Sequence, residues 1–269
     1  DLCSIAEPTC GLITNIGRAH LEGFGGIEGV KKGKGELFDF LRLSKDSTAF
    51  VNANHKALLE ISKGLNCRYY GSAEHEPYVR FIEGGERRFV WSEGGEESEA
   101  LPVQLEGDYN LDNITTAIAV GLHFNVNREL LGQAISNYTP SNNRSQTTTT
   151  GRNTVLLDAY NANPSSMTGA LNSFAKNIEG DKLVILGDMR ELGEYSHEAH
   201  KEIVGLCERL GLEALYVGEE FYAVTDGGAK YFATTDDLKR VLEVEVVKGK
   251  TVLLKGSRGM RMEQLLPLL

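Results

Sequence analysis

The feature that most constrains this chain is a regular alternation of strand-like and helix-like segments in its second half. Short apolar runs, such as Leu183 to Leu186, are followed by longer segments with apolar side chains at helical spacing. The pattern predicts strands at 154–157, 183–186, 214–217 and 252–254, and helices at 164–177, 196–210 and 235–243. Strands joined through helices run parallel, because the chain crosses back over a sheet face between them. We therefore expect an α/β unit with a mainly parallel sheet.

One helix in this half combines capping chemistry with periodicity. Asn163 stands where an N-cap is expected, and Pro164 occupies the first helical position. Its predicted apolar face comprises Met167, Ala170, Leu171 and Phe174.

The first half has the pattern of a mixed α/β unit with antiparallel character. Strand candidates lie at 11–16, 48–53, 67–71, 79–83, 87–92 and 101–105. Gly84-Gly85 separates two of these strands and Gly94-Gly95 follows, which is typical of a small meander. Helices at 111–124 and 128–138 are expected to complete the unit.

The length also favours two domains, since 269 residues exceed the roughly 150 of a typical single domain. The polar run Ser145 to Arg152 contains four consecutive threonines and has too little apolar surface for a core element. It is the expected hinge. We place the domains at 1–146 and 147–269.

Composition narrows the class of protein. The 28 basic against 38 acidic residues give a net charge of -10, which argues against nucleic acid as the main partner. No run approaches the roughly 18 apolar residues of a membrane span. The four cysteines form no C-x-x-C pair, so we expect reduced thiols in a cytoplasmic protein. We also expect a soluble monomer. Because the chain opens at Asp1 close to a strand-like stretch, we expect it to be a fragment.

Four polar clusters follow predicted strands, where α/β proteins place ligands. The first, Thr14 to Gly23, carries His20. A surface-loop histidine is the simpler interpretation of that residue. The basic, glycine-rich patch at 31–35 comes next, but the phosphate-loop motif G-x-x-x-x-G-K-[ST] is absent from the sequence.

The second cluster, Gly107 to Asn113, opens a helix. Asn110 and Asn113 are three residues apart and fall on one helical face. They are candidates for simple capping or for amides that hydrogen-bond a purine edge, and both interpretations stay open.

The third cluster, Leu157 to Pro164, sets Asp158 at a strand end beside a helix N-terminus. A carboxylate there can accept hydrogen bonds from a ribose. Because Asp158 lies at a strand end rather than in the core, we expect its replacement to weaken ligand binding more than folding. The fourth cluster joins 187–193 and 255–259, which suit a carboxylate or phosphate ligand, with solvated loops as the alternative.

Taken in order, these strings resemble the Mur ligase family. The diagnostic pieces are Asn15-Ile16-Gly17 with Ala19 to Gly25, Tyr160 to Pro164, Gly187-Asp188-Met189 with Glu191-Leu192-Gly193, and Lys255-Gly256-Ser257. They are most similar to the branch that joins D-alanyl-D-alanine to UDP-N-acetylmuramoyl-tripeptide in peptidoglycan precursor synthesis. The resemblance implies an ATP-dependent ligase that uses Mg²⁺ and an acyl phosphate. It also implies the latter part of a mixed α/β central ATPase domain, followed by a Rossmann-like C-terminal domain.

The resemblance also implies roles for individual residues. His20 and a carbamylated Lys34 would be catalytic and would hold magnesium, since a carbamate is an anionic oxygen donor. The ATP-binding residues would be Asn110, Asn113, Arg144 and Asp158. The contacts to peptide or dipeptide would be Tyr160, Asn161, Asn163, His200, Lys255, Ser257 and Arg258.

Some departures and alternatives accompany this resemblance. Arg18 stands where the family usually has Pro, and Tyr109 stands where His is common. The Walker loop, the acidic magnesium ligand and the UDP-sugar domain are not in this sequence, so we expect no turnover by the chain alone. A sister ligase that adds one amino acid, a folylpolyglutamate-type ligase and an inactive paralogue remain alternatives. A dinucleotide-dependent oxidoreductase is disfavoured, because no predicted strand is followed by G-x-G-x-x-G.

Overall fold

The computed structural model describes residues 2–82, 87–105, 107–140, 144–224 and 230–269. Two compact units are present. The first comprises Asp1–Gly17, Phe24–Gln104 and Asp108–Tyr138, and the second comprises Arg18–Gly23, Leu105–Gly107 and Thr139–Leu269.

Up to residue 138 the chain forms short strands interspersed with helices. In chain order these are α1 (Leu2–Ala6), β1 (Cys10–Leu12), α2 (Leu21–Phe24), α3 (Ile27–Leu41), β2 (Thr48–Asn52), α4 (Lys56–Ile61), β3 (Cys67–Tyr70), β4 (Tyr78–Ile82), β5 (Arg88–Glu93), β6 (Glu96–Glu97), β7 (Leu101–Pro102), α5 (Asn110–His123) and α6 (Arg128–Ser136).

The first unit holds two different sheets. Strands β1, β2 and β3 form a parallel sheet in that order, whereas β4, β5, β6 and β7 pair antiparallel. The expected mixed α/β unit is therefore confirmed: the antiparallel pairs lie in the meander, whereas the first three strands are parallel. The reason is that α3 and α4, which the sequence pattern did not reveal, supply crossovers between parallel strands. Gly94 and Gly95 make the β5–β6 turn, while Gly84-Gly85 lies outside the described residues.

Two glycines of helix α3 lie against Phe24. A Cβ on Gly29 would lie 1.7 Å from the Phe24 carbonyl oxygen, and one on Gly33 would lie 2.4 Å from the Phe24 ring. These glycines allow the close approach of Phe24 to the helix. The patch at 31–35 is therefore helical, and its buried face packs Phe38 and Leu41 against β2.

The second unit is built on one six-stranded sheet. Its elements are β8 (Gln146–Thr149), β9 (Thr154–Asp158), α7 (Pro164–Asn177), β10 (Lys182–Gly187), α8 (Ser196–Arg209), β11 (Glu213–Val217), α9 (Glu219–Val224), β12 (Tyr231–Phe232), α10 (Thr235–Leu242) and β13 (Thr251–Lys255), with 3-10 turns at 193–195, 258–260 and 262–268. The strand order is β12-β11-β10-β13-β9-β8, and only β8 among these runs antiparallel to its neighbour. The expected mainly parallel α/β sheet is confirmed.

The polar run at 145–152 contains a strand. Residues Gln146–Thr149 form β8, which pairs with β9 at the edge of the sheet. The expectation that this segment lacks a core element is wrong, because an edge strand pairs through its backbone on one side and needs little apolar surface. Threonine is also favoured in strands, since its Cβ is branched.

The core of the second unit lies against the parallel strands. Val155, Leu183, Ile185, Val252 and Leu254 are fully or almost fully buried. Helix α7 begins as predicted, because the Asn163 side chain and Ser166 form a reciprocal capping box and Pro164 follows. Across the described ranges, no helix combines the length and apolar character needed to cross a membrane.

Candidate active site

A buried ion pair joins two of the predicted site residues. Lys255 and Asp158 are register neighbours at the ends of β13 and β9, and Lys255 Nζ donates to Asp158 Oδ2 at 2.6 Å. Lys255 is 2% exposed and also donates to the Asn161 carbonyl at 3.2 Å. The second Asp158 oxygen accepts from the Ser145 backbone at 3.3 Å. This pairing gives Asp158 a structural role, so its replacement affects folding as well as any ligand.

Two arginines flank the ring of Tyr160 beside that pair. The Arg144 guanidinium lies 3.8 Å from the ring centroid, and that of Arg258 lies 5.3 Å away. Hydrogen bonding and charge from Arg144, followed by the charge of Arg258, hold the pKa of Tyr160 below its usual value. Both arginines are exposed. The structure thus brings Arg144, Asp158, Tyr160, Lys255 and Arg258 together at the carboxyl edge of β9 and β13.

The two asparagines after Tyr160 make local contacts. Asn161 Oδ1 accepts from the backbone of Ala162 at 2.8 Å, and Asn163 Oδ1 caps helix α7 through Ser166. Asn161 is exposed, whereas Asn163 is committed to the helix N-terminus. The geometry therefore leaves Asn161 the more accessible of the two.

His200 and Ser257 hold the segment that follows β10. His200 is fully buried, and its Nε2 accepts from the Met189 N–H at 3.0 Å. Its proton therefore lies on Nδ1, which donates to the Ser196 carbonyl at 2.7 Å. Burial lowers the pKa of His200. Ser257 Oγ accepts from the Arg190 N–H at 3.0 Å. In this arrangement both residues position the segment 188–193.

Asp188 anchors the same segment to helix α9. Its two carboxylate oxygens accept from the backbone of Glu220 at 3.1 Å and of Phe221 at 3.0 Å. Burial raises the pKa of Asp188. Gly218 has a φ of +125°, and a Cβ there would lie 2.1 Å from the carboxylate, so the turn needs glycine.

A cleft of about 1010 Å³ opens beside this segment. Its lining contains groups of both charges: the positive ones are Arg190 and Arg261, and several carboxylates are negative. The acidic lining residues are Glu22, Asp188, Glu191, Glu219, Glu220 and Asp236. A zwitterionic ligand suits such a lining, because each end finds an opposite charge.

His20 lies in the loop 18–23, which belongs to the second unit. Its Nδ1 contacts the carboxylate of Glu191, and both side chains are exposed, at 51% and 62%. The backbone nitrogen of Glu22 donates to the Glu191 carbonyl at 3.2 Å. Arg18, at the start of the loop, donates from its backbone to Ser165 Oγ and from its side chain to Glu202.

Lys34 lies on α3 in the first unit. It is partly buried, and its Nζ donates to the Asn15 carbonyl at 2.9 Å. Burial lowers the pKa of Lys34, which increases the fraction of neutral amine. Its neighbour Lys31 is paired with Glu60 at 2.7 Å.

The two predicted adenine contacts bond to each other. Asn113 Nδ2 donates to Asn110 Oδ1 at 2.9 Å across one turn of α5. Asn110 is buried and Asn113 is exposed. The expected common face is therefore present, with Asn113 the accessible member.

The comparisons with known proteins match both halves of the chain. A family model described as the Mur ligase middle domain matches residues 1–121, and one described as the Mur ligase glutamate ligase domain matches residues 143–258. The chain belongs to the Mur ligase family.

The relatives of this Mur ligase chain include named enzymes and solved structures. UDP-N-acetylmuramoyl-tripeptide–D-alanyl-D-alanine ligase of Bacillus subtilis strain 168 is 27% identical over 98% of the chain and 60% of the relative. A crystal structure of MurF from Acinetobacter baumannii is 26% identical over 98% of the chain and 60% of that chain, with a TM-score of 0.83. MurF from Thermotoga maritima in complex with ADP is 22% identical, with a TM-score of 0.81 over 99% and 62%, and supports the fold alone. The chain spans about 60% of the length of these relatives.

Two polar groups in the Mur ligase chain were not among the predicted site residues. In the first unit Asp112 accepts from Asn52 at 2.8 Å and from His55 Nε2 at 3.0 Å. The hydrogen bond between His55 and Asp112 raises the pKa of His55 and lowers that of Asp112. Asn52 ends β2 and His55 follows it, so position after a strand was an available signal. The second group is Glu191 with its contact to His20, for which the sequence offers no pairing signal.

Proposed function

We propose that the whole protein joins D-alanyl-D-alanine to UDP-N-acetylmuramoyl-tripeptide at the expense of ATP, in the cytoplasm and as a monomer. The observation that carries this proposal is the match of relatives bearing that enzyme name along almost the full chain. The site geometry supports it, because a mixed-charge cleft and a pair of exposed arginines both lie on the second unit.

The reaction proposed is acyl transfer through a mixed anhydride. A carboxylate oxygen of the tripeptide attacks the γ-phosphorus of ATP, and the bond to ADP breaks to give an acyl phosphate. The dipeptide amine then attacks the acyl carbon, loses a proton and expels phosphate. Arg144 and Arg258 are suited to neutralise the negative charge on phosphoryl oxygens. Their stacking on Tyr160 would hold the two guanidinium groups in place.

Individual contacts support the proposed ATP-binding residues. Asn113 presents an exposed amide for the adenine, and Asn110 orients it through the hydrogen bond between them. Asp158 already accepts from Lys255 and Ser145, yet a carboxylate has about four lone-pair sites and retains capacity for a ribose hydroxyl. Arg144 would contact the phosphates.

The residues proposed for a divalent cation are His20 and Lys34. Within the described ranges, no group of three or more His, Cys, Asp or Glu side chains is placed to hold a metal. Lys34 fits after carbamylation, because its lowered pKa favours the neutral amine that attacks carbon dioxide. A bound Mg²⁺ would neutralise phosphate charge.

The peptide contacts divide into accessible and structural residues. Tyr160, Asn161 and Arg258 are the members of the proposed set that remain accessible for direct contact. Lys255, His200 and Ser257 would act by holding the segments that carry the cleft, and Asn163 by capping α7. We place the zwitterionic dipeptide in the cleft lined by Arg190 and the carboxylates.

The decisive experiment measures ATP-dependent phosphate release by the full-length protein with UDP-N-acetylmuramoyl-tripeptide. The acceptors compared are D-alanyl-D-alanine, D-alanine, meso-diaminopimelate and glutamate. Release with the dipeptide alone supports the proposal. Release with a single amino acid would assign a sister ligase, and no release with any acceptor would favour an inactive paralogue.

A further inference from the structure

The contact between Glu191 and His20 determines which imidazole nitrogen carries the proton. A neutral imidazole has one N–H and one lone pair, and a carboxylate accepts hydrogen bonds without donating any. Because the Glu191 carboxylate meets Nδ1, the proton of neutral His20 must lie on Nδ1 for this bond to form. The lone pair then lies on Nε2, on the opposite side of the ring.

The backbone conformations of His20 and Glu191 also indicate that both residues are held in place. His20 has a φ of +57° and Glu191 a φ of +63°, the left-handed region that non-glycine residues rarely adopt. Such strained positions persist only where surrounding contacts fix them. Here the Glu22 N–H donates to the Glu191 carbonyl, so the two segments are joined through backbone as well as side chain.

Further contacts hold the loop that carries His20 against the segment that carries Glu191. Gly193 has a φ of +54°, and a Cβ there would lie 3.2 Å from Glu22 Cβ, so glycine allows the close approach. Arg18 fixes the other end of the loop, with its N–H 3.0 Å from Ser165 Oγ and its Nη1 2.6 Å from Glu202. The Glu191 segment is itself held by His200 through Met189 and by Ser257 through Arg190.

We infer that Glu191 is a positioning residue that holds His20 with its proton on Nδ1 and its lone pair on Nε2. The use of that lone pair rests on the proposed function, in which His20 binds a divalent cation. A carboxylate partner on one imidazole nitrogen fixes the tautomer and orientation of the other nitrogen toward a metal. Glu191 would therefore act on the metal through His20, without contacting substrate.

The tautomer of the neutral imidazole is tested directly by ¹⁵N NMR of the histidine side chains in the 269-residue chain at pH about 8.5. His20→Gln assigns the signal. We expect Nδ1 protonated and Nε2 unprotonated in the wild type. Glu191→Ala should convert His20 to the Nε2–H form that free imidazole favours in water. Glu191→Gln should retain the wild-type form, because its amide oxygen still accepts.

Two controls show whether a change of the His20 tautomer is specific to the loss of Glu191. Glu194→Ala removes an exposed carboxylate three residues from Glu191 and should leave the His20 signal unchanged. His200 serves as an internal probe of folding, because its buried Nδ1–H tautomer is fixed by Ser196 and Met189. An Nε2–H form in the wild type, or an unchanged His20 signal in Glu191→Ala, would overturn the inference.

A second measurement separates this inference from the proposed function. In the full-length protein with ATP, Mn²⁺ affinity is measured by electron paramagnetic resonance. We expect Glu191→Ala to weaken it roughly 10- to 100-fold and Glu194→Ala to leave it unchanged. A tautomer switch with unchanged Mn²⁺ affinity would overturn the metal role of His20 and leave its positioning by Glu191 standing.

Discussion

Two side-chain pairs of the second unit join residues distant in sequence, but they differ in burial. The side chains of Lys255 and Asp158 are 2% and 14% exposed, whereas those of His20 and Glu191 are 51% and 62% exposed. Removing one member of a buried pair leaves a desolvated charge, while an exposed partner is resolvated by water. The buried pair therefore supports the fold, and the exposed pair can be altered to test function.

The largest effect is expected from breaking the buried pair. Lys255→Met leaves the Asp158 carboxylate without its ammonium partner and should reduce the free energy of unfolding by about 3–5 kcal/mol. Urea unfolding of the chain at neutral pH measures this. The double variant with Asp158→Asn should recover part of the loss, because the unpaired charge is gone. A loss below about 1 kcal/mol would place the pair with the exposed class.

Lys34 lies between the buried and the exposed pair, because it is partly buried and its Nζ donates to a backbone carbonyl. In the full-length protein, Lys34→Ala should slow ligation roughly 100-fold or more, since it removes a proposed metal ligand. Added bicarbonate should give no rescue, and the unfolding midpoint should shift little. Lys32→Ala, exposed on the same helix, is the matched control. Normal turnover would remove Lys34 from the site.

The pair of His55 and Asp112 tests an intermediate exposure, with side chains 33% and 43% exposed. The hydrogen bond raises the pKa of His55, so its stabilisation is present at low pH and is lost as pH rises through the folded value. The same bond lowers the pKa of Asp112, so its stabilisation is lost as pH falls. Their joint contribution, below about 1 kcal/mol, should be greatest between roughly pH 4 and 6.5.

This pH dependence is measured by comparing urea unfolding of the wild type and His55→Gln across that range. Asp112→Asn should flatten the curve in the same way, because either variant removes the charge interaction. A difference between wild type and His55→Gln that grows above pH 7 would contradict the assigned sign.

The smallest effect on stability is expected at the exposed pair. Glu191→Ala should leave the urea midpoint within error of the wild type, because both side chains are largely solvated. Glu194→Ala provides the reference for a carboxylate without this contact. A large loss of stability at Glu191 alone would show that the exposed pair also supports the fold.

Much of the second unit could be predicted because its signals are local. Helix α7 occupies the predicted range, since Asn163, Pro164 and the apolar face act within one segment. Helix α3 was missed because Gly29, Gly33 and Gly35 and its lysines obscure the helical pattern. Gly29 and Gly33 are needed for contact with Phe24, a residue outside the helix. Strand β8 was missed because its pairing depends on backbone hydrogen bonds with β9 rather than on apolar side chains.

The candidate site also has features that local sequence determines and features that depend on tertiary structure. The sequence alone determined which residue types follow each strand, including Asp158, Tyr160, Lys255 and Arg258, because strand ends and caps are encoded within a few residues. Only the tertiary structure decided that Lys255 meets Asp158, that two arginines flank Tyr160, and that Glu191 meets His20. Those pairings depend on strand order, register and loop contacts between segments up to 171 residues apart, which no local pattern specifies.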